Sequence, residues 1–239
     1  MTATWVHAAA ILLVTLPASA QSAAQQVLSI DVPGHHPAAF VEAAGGGPRP
    51  VVIALHGNFD RPEWMCASWA PIVQGRAFVL CPRGLPRDDA QGQDRWQLPL
   101  PGPLLREIAA ARRALAERYP GRVDEGPDVW AGFSQGANRI ARLASSNPNG
   151  YLRIQLVEGG DALWADARPY ARVPGRAAIV CALRWCEMRS TRVARTLEAG
   201  RARARVELIP ASHSDRETMA PAIRRTFDWL IEDDPRFAR

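Results

Sequence analysis

From Pro50 onward the sequence alternates short, unbroken apolar runs with longer stretches of helical periodicity, and that alternation leaves few folds open. The apolar runs Val51–Leu55, Ala77–Cys81, Asp128–Phe133, Tyr151–Glu158, Ala177–Ala182 and Arg205–Ile209 are read as strands. Between them Leu104–Tyr119, Gly136–Ser146 and Ser190–Ala199 read as helices, and Asp215–Ile231 as a last one. Pro120-Gly121, Asn147-Pro148, Gly159-Gly160 and Gly200 supply the stops. Val27–Val32 and Phe40–Glu42 read as two further strands, a hairpin before Gly45-Gly46-Gly47. Strands that are apolar without alternation are covered on both faces, and separating them by helices makes the sheet mostly parallel. The expected fold class is therefore α/β, a doubly wound sheet with helices on both faces. Ligands in such a sheet bind at the carboxyl ends of its strands. No linker interrupts the pattern, so residues 25–239 read as one domain.

The N-terminus reads differently. Ala8 to Pro17 is apolar but shorter than the roughly 20 residues needed to span a bilayer, and Ala18-Ser19-Ala20 follows. Residues 1–20 are read as a signal peptide cleaved after Ala20. With no cysteine next to that site, a lipid anchor is not expected, nor any stable membrane attachment. A periplasmic or secreted protein follows. Four cysteines remain, Cys66, Cys81, Cys181 and Cys186, and an even count in an exported chain favours disulfides. Pairing nearest neighbours gives Cys66–Cys81 and Cys181–Cys186; the alternative is that Cys81 and Cys181, at the ends of apolar strands, are buried free thiols. Their spacing does not match zinc patterns. All 29 basic side chains are Arg, but they are scattered among 24 acidic ones, so no basic stripe for nucleic acid forms. Disordered and collagen-like classes are excluded by 47% hydrophobic and 22% charged residues. No motif for a metal, nucleotide or other cofactor is present, and none is expected. No feature of the sequence bears on oligomeric state.

The chemistry concentrates in Gly132-Phe133-Ser134-Gln135-Gly136. Val129-Trp130-Ala131 enters it as a strand and Ala137-Asn138-Arg139-Ile140 leaves it as a helix. A turn this sharp strains the serine backbone, and glycines on both sides let strand and helix approach without a Cβ clash. Ser134 then projects above the sheet as a candidate nucleophile. His56-Gly57-Asn58 ends the first strong strand; the loop there and the residue after the nucleophile supply the two amides of an oxyanion hole. These are assigned to Asn58, with Phe59 as the alternative, and Gln135. His56 is read as a brace for that loop.

A serine nucleophile needs a base, and histidine is suited by its titration range. His213 lies just past the last strand in Ile209-Pro210-Ala211-Ser212-His213, while His35 and His36 precede the core sheet. The acid is sought after the fifth strand, in Leu183–Arg189, where Glu187 is the one carboxylate; Asp161 is the reserve, and Asp215 stands too close in sequence to His213 to reach its far nitrogen. Glu187 also reads as a solvated carboxylate beside Arg184 and Arg189. A backbone carbonyl could orient the histidine instead.

Together these residues resemble the α/β-hydrolase superfamily, and Ala131-Gly132-Phe133-Ser134-Gln135-Gly136-Ala137 looks like its phospholipase/carboxylesterase branch, which includes acyl-protein thioesterases and lies close to dienelactone hydrolases. The likeness spans residues 48–232, with His56-Gly57, Cys81-Pro82-Arg83-Gly84 and His213 at the spacing of that branch. It implies the α/β-hydrolase fold, Ser134 as nucleophile and His213 as base. The branch carries a Gly-x-x-Asp-like element after the fifth strand; here Leu183–Cys186 stands in its place. The expected activity is a carboxylic-ester hydrolase acting through an acyl-enzyme on a small-molecule ester, with Trp96, Trp64 and Phe59 lining the substrate pocket under the segment Leu85–Pro103. Two alternatives remain: a weakly active or non-catalytic binding protein on the same scaffold, and a serine peptidase.

Overall fold

Eight strands join in one sheet: β1 (Val27–Ile30), β2 (Ala38–Val41), β3 (Val51–Leu55), β4 (Phe78–Cys81), β7 (Val129–Phe133), β8 (Arg153–Val157), β9 (Arg176–Cys181) and β10 (Arg203–Leu208). A short hairpin, β5 (Leu85–Pro86) with β6 (Trp96–Gln97), stands apart from it. This is a computed structural model, and it describes residues 25–238. The signal peptide expected over residues 1–20 lies outside the described residues.

The sheet order is β1-β2-β4-β3-β7-β8-β9-β10. From β4 to β10 every neighbouring pair is parallel; β1 and β2 add antiparallel edge strands. The chain leaves β3 toward β4 on one side and returns to pair β7 on its other side. The carboxyl ends of β3 and β7 thus flank the point where the winding reverses, where a doubly wound sheet holds its ligand.

The central strands β3, β4, β7 and β9 are buried along their whole length because both faces of the sheet are covered there. Trp130 faces a core built from α2 (Pro101–Arg118), α3 (Gln135–Ser146) and α6 (Arg184–Glu198). Its neighbours Val129, Ala131 and Phe133 face the opposite core, built from α1 (Pro62–Val73) and α7 (Arg216–Ile231). Two short helices, α4 (Asp161–Ala165) and α5 (Arg168–Ala171), follow β8. Helix α1 has no 3.6-residue pattern because Met65, Cys66, Trp69, Ala70, Ile72 and Val73 are all buried; Pro62 suits its first turn, where a missing N–H costs nothing.

Cys66 is bonded to Cys81 and Cys181 to Cys186. The first bridge ties α1 to β4 across a sequence separation of 15, and the second spans only 5. Restricting the unfolded chain over the longer loop contributes about 3 kcal/mol, and over the shorter about 2 kcal/mol. The double substitution Cys66→Ala/Cys81→Ala is expected to lower unfolding stability by roughly that 3 kcal/mol, read as a shift of the urea midpoint. Among the described residues, no helix is long and apolar enough to cross a membrane.

Candidate active site

Ser134 sits between β7 and α3 with φ 50° and ψ −110°, a left-handed backbone that L side chains adopt only at a cost of about 1–3 kcal/mol. The surroundings hold it there. Its N–H donates to the Val157 carbonyl (2.8 Å), and its carbonyl accepts from Asn138 N (3.0 Å). The flanking glycines are sterically required. A Cβ on Gly132 would lie 2.6 Å from Ala137 N, and one on Gly136 would lie 2.1 Å from the Leu55 carbonyl oxygen. The β7–α3 turn therefore passes directly against the end of β3.

His213 lies in the loop between β10 and α7. Its Nε2 is 3.1 Å from Ser134 Oγ. Its Nδ1 is 2.9 Å from Oε2 of Glu158, whose side chain is fully buried. The other carboxylate oxygen, Oε1, accepts the backbone N–H groups of Ala182 (2.5 Å) and Leu183 (3.3 Å). Glu158 stands one residue past β8 with φ 53°, and its N–H donates to the Val180 carbonyl (3.0 Å). That left-handed backbone turns its side chain across the end of β9 toward His213. Burying a carboxylate is tolerable when its oxygens are occupied by donors, and three N–H groups occupy these.

The expected partner of His213 was Glu187, with Asp161 in reserve. Glu187 is not in a loop: α6 begins at Arg184, so Glu187 lies in its first turn with its N–H bonded to the Leu183 carbonyl (3.2 Å). Asp161 opens α4, accepts from Ala162 N (2.7 Å) and faces Arg142 at 3.5 Å. Neither meets His213; the carboxylate that does is Glu158. Its one trace in the sequence is an acid at a strand's end, before Gly159-Gly160, on the strand beside that of Ser134. Asp215 caps α7, accepting from Thr218 N (3.0 Å), and that backbone hydrogen bond holds its carboxyl below the usual range.

The loop after β3 runs beside Ser134. Fully buried His56 fills the space between two carbonyls, with Nδ1 2.7 Å from the Gly57 oxygen and Nε2 2.9 Å from the Arg83 oxygen. Both ring nitrogens are thus engaged by backbone, away from Ser134. Asp60 accepts from Gly57 N (3.3 Å) and from Arg216, fastening this loop to the start of α7. Gln135 is the first residue of α3, where N–H groups have no partner within the helix; its side chain accepts from Leu98 N (2.7 Å). Asn58, Phe59 and Trp64 share with Ser134 and His213 an open cleft of about 590 Å³. Trp96 does not line that cleft. Its ring packs against His36 at 4.8 Å with the Arg83 guanidinium 5.0 Å from its centre. The reason is its place in β6, whose backbone bridges to Asp60 while the hairpin folds back over the turn after β4.

This architecture has solved counterparts. A thermostable esterase matches with a TM-score of 0.58 at 17% identity, over 87% of this chain and 63% of that one. An esterase from Pyrobaculum calidifontis matches with a TM-score of 0.58 at 16% identity, over 87% and 85% of the two chains. An S-formylglutathione hydrolase from Agrobacterium tumefaciens matches with a TM-score of 0.56 at 14% identity, over 87% and 94%. This chain therefore spans less than two thirds of the first of these proteins and most of the other two. No protein-family model and no curated protein matches the sequence. The likenesses establish the fold: the chain has the α/β-hydrolase fold.

Proposed function

We propose that this chain is an exported serine hydrolase that cleaves small carboxylic esters through an acyl-enzyme on Ser134. One observation carries the reading: an unbroken chain of contacts from Ser134 Oγ through both nitrogens of His213 to the buried carboxylate of Glu158. A buried acid, a histidine and a strained serine in that order form the arrangement that generates an alkoxide-like nucleophile near neutral pH.

The proposed steps use these positions. His213 Nε2 takes the Ser134 proton as Oγ bonds to the substrate carbonyl carbon. The resulting oxyanion is held by the Gln135 N–H and by Asn58 or Phe59 N–H, each such donor contributing about 3–4 kcal/mol to the transition state. Glu158 keeps the other His213 nitrogen protonated and balances the imidazolium charge. Collapse breaks the ester C–O bond, and His213 returns the proton to the departing alcohol. Water, deprotonated by the same nitrogen, then attacks the acyl-enzyme carbonyl and releases the carboxylic acid, restoring Ser134. The cycle requires no cofactor. Export rests on the two disulfides and on the leader-like first 20 residues. The buried Glu158 carboxylate behind His213 favours catalysis over a binding role, because a scaffold that had lost catalysis need not keep an acid there.

A fluorophosphonate probe, which phosphonylates activated serines, is expected to label the folded protein. Mass mapping should place the adduct on Ser134, and prior incubation with excess ester should slow it. Absence of labelling in the folded protein would falsify the proposal.

A further inference from the structure

The acid is held from behind by a second, covalent feature. Cys181 ends β9 and Cys186 lies in the first turn of α6, so their disulfide closes a ring of six residues. Inside that ring are Ala182 and Leu183, whose N–H groups are the two backbone donors to Glu158 Oε1. The Leu183 carbonyl accepts from Cys186 N (3.0 Å) and Glu187 N (3.2 Å), which fixes the turn from its other side. Both sulfurs and a Glu158 carboxylate oxygen lie within 4.8 Å of one another, and Glu158, Cys181 and Cys186 are all buried.

We propose that the Cys181–Cys186 disulfide is a positioning element for catalysis, one that fixes the two amides that aim the Glu158 carboxylate at His213. The proposal rests on the reading of Glu158 as the triad acid. The short span argues for this role, since a bridge five residues long restricts the unfolded chain less than the 15-residue bridge does. Its location does the rest. Glu158 leaves its left-handed backbone across the end of β9, and the Ala182 and Leu183 amides are what receive and hold its Oε1 there. Without the covalent closure, the receiving amides lie between the end of β9, where the Cys181 carbonyl still accepts from Ile209 N (2.8 Å), and the first turn of α6, the part of a helix that frays most easily. A misplacement of about 1 Å in a catalytic group is enough to cost on the order of 10²-fold in rate.

The test compares three proteins with wild type: Cys181→Ala/Cys186→Ala, Cys66→Ala/Cys81→Ala and Glu158→Gln. Turnover of p-nitrophenyl butyrate gives kcat and KM, and proton NMR follows the downfield resonance of the His213 Nδ1–H that faces Glu158. The Cys181/Cys186 variant is expected to lose about 10²-fold in kcat with KM little changed, and its downfield resonance to broaden or move upfield. The Cys66/Cys81 variant is expected to melt earlier while keeping its kcat and its resonance. If the alanine pair does not fold, Cys181→Val/Cys186→Ala refills the volume and is read in the same way. A folded Cys181/Cys186 variant with wild-type kcat and an unmoved resonance, beside a crippled Glu158→Gln, overturns the inference alone. Wild-type kcat in Glu158→Gln overturns the triad reading and this inference with it.

Discussion

Glu158→Gln is expected to lower kcat by about 10⁴-fold with KM nearly unchanged, the scale of losing the acid from a serine triad. The size follows from the hydrogen bonds around the side chain. Oε1 receives two amide N–H groups and Oε2 receives His213 Nδ1, so every partner of this carboxylate is a donor. A glutamine offers one oxygen and one NH₂. If its oxygen stays with Ala182 and Leu183, the NH₂ meets His213 Nδ1. The ring then takes the tautomer protonated at Nε2 and cannot accept the Ser134 proton. If the amide turns over, the NH₂ faces two N–H groups in a buried site, at a cost of about 1–3 kcal/mol. Either orientation fails, by chemistry or by stability. Glu187→Gln and Asp161→Asn are expected to keep kcat, because neither carboxylate meets His213. Steady-state kinetics with one nitrophenyl ester, alongside melting curves, separates these outcomes. A folded Glu158→Gln within tenfold of wild type sinks the assignment of Glu158.

Glu158 shows where the sequence stops being legible. The sheet was legible because its central strands are apolar on both faces; Val51–Leu55 coincides with β3, and Asp128–Phe133 and Tyr151–Glu158 enclose β7 and β8 with one or two residues to spare at an end. The β7–α3 turn was legible because its glycines are a steric requirement. Glu158 was hidden by the same logic, absorbed into the strand it follows. Whether a residue at a strand's end continues the pleat or turns out of it depends on one φ angle, and nothing in Glu-Gly-Gly dictates that the glutamate itself takes the left-handed one. Glu187 was misplaced for the complementary reason. The first turn of α6 contains Trp185 and Cys186, which break an amphipathic pattern, so the helix reads as starting at Ser190 when it starts at Arg184. Helix α1 went unread since a helix buried on most sides has no polar face to give it a period. Trp96 packs on His36 and Arg83 outside the cleft lining, placed there by the pairing of a two-residue strand, a feature without a sequence signature.

Ser134→Ala is expected to lower kcat/KM by about 10⁶-fold while leaving the fold intact, with a residue of catalysis about 10³-fold above the uncatalysed reaction from the oxyanion amides and binding alone. The fold should survive because alanine keeps the Cβ, so the cost of the left-handed backbone is the same in both proteins. What disappears is a single hydrogen bond at 3.1 Å, made to a ring that is 46% exposed and can turn to water. The turn itself is held by contacts that do not involve Oγ, namely Ser134 N to Val157, Asn138 N to the Ser134 carbonyl, and the close passage of Gly136 over Leu55. The variant therefore separates chemistry from architecture. An enzyme loses turnover and keeps its melting temperature and its affinity for a non-hydrolysable ester analogue. A binding protein on this scaffold shows little turnover to begin with and the same affinity in both forms. Turnover in folded Ser134→Ala above about 1% of wild type, far beyond the residual rate the oxyanion amides supply, places the nucleophile elsewhere in the cleft.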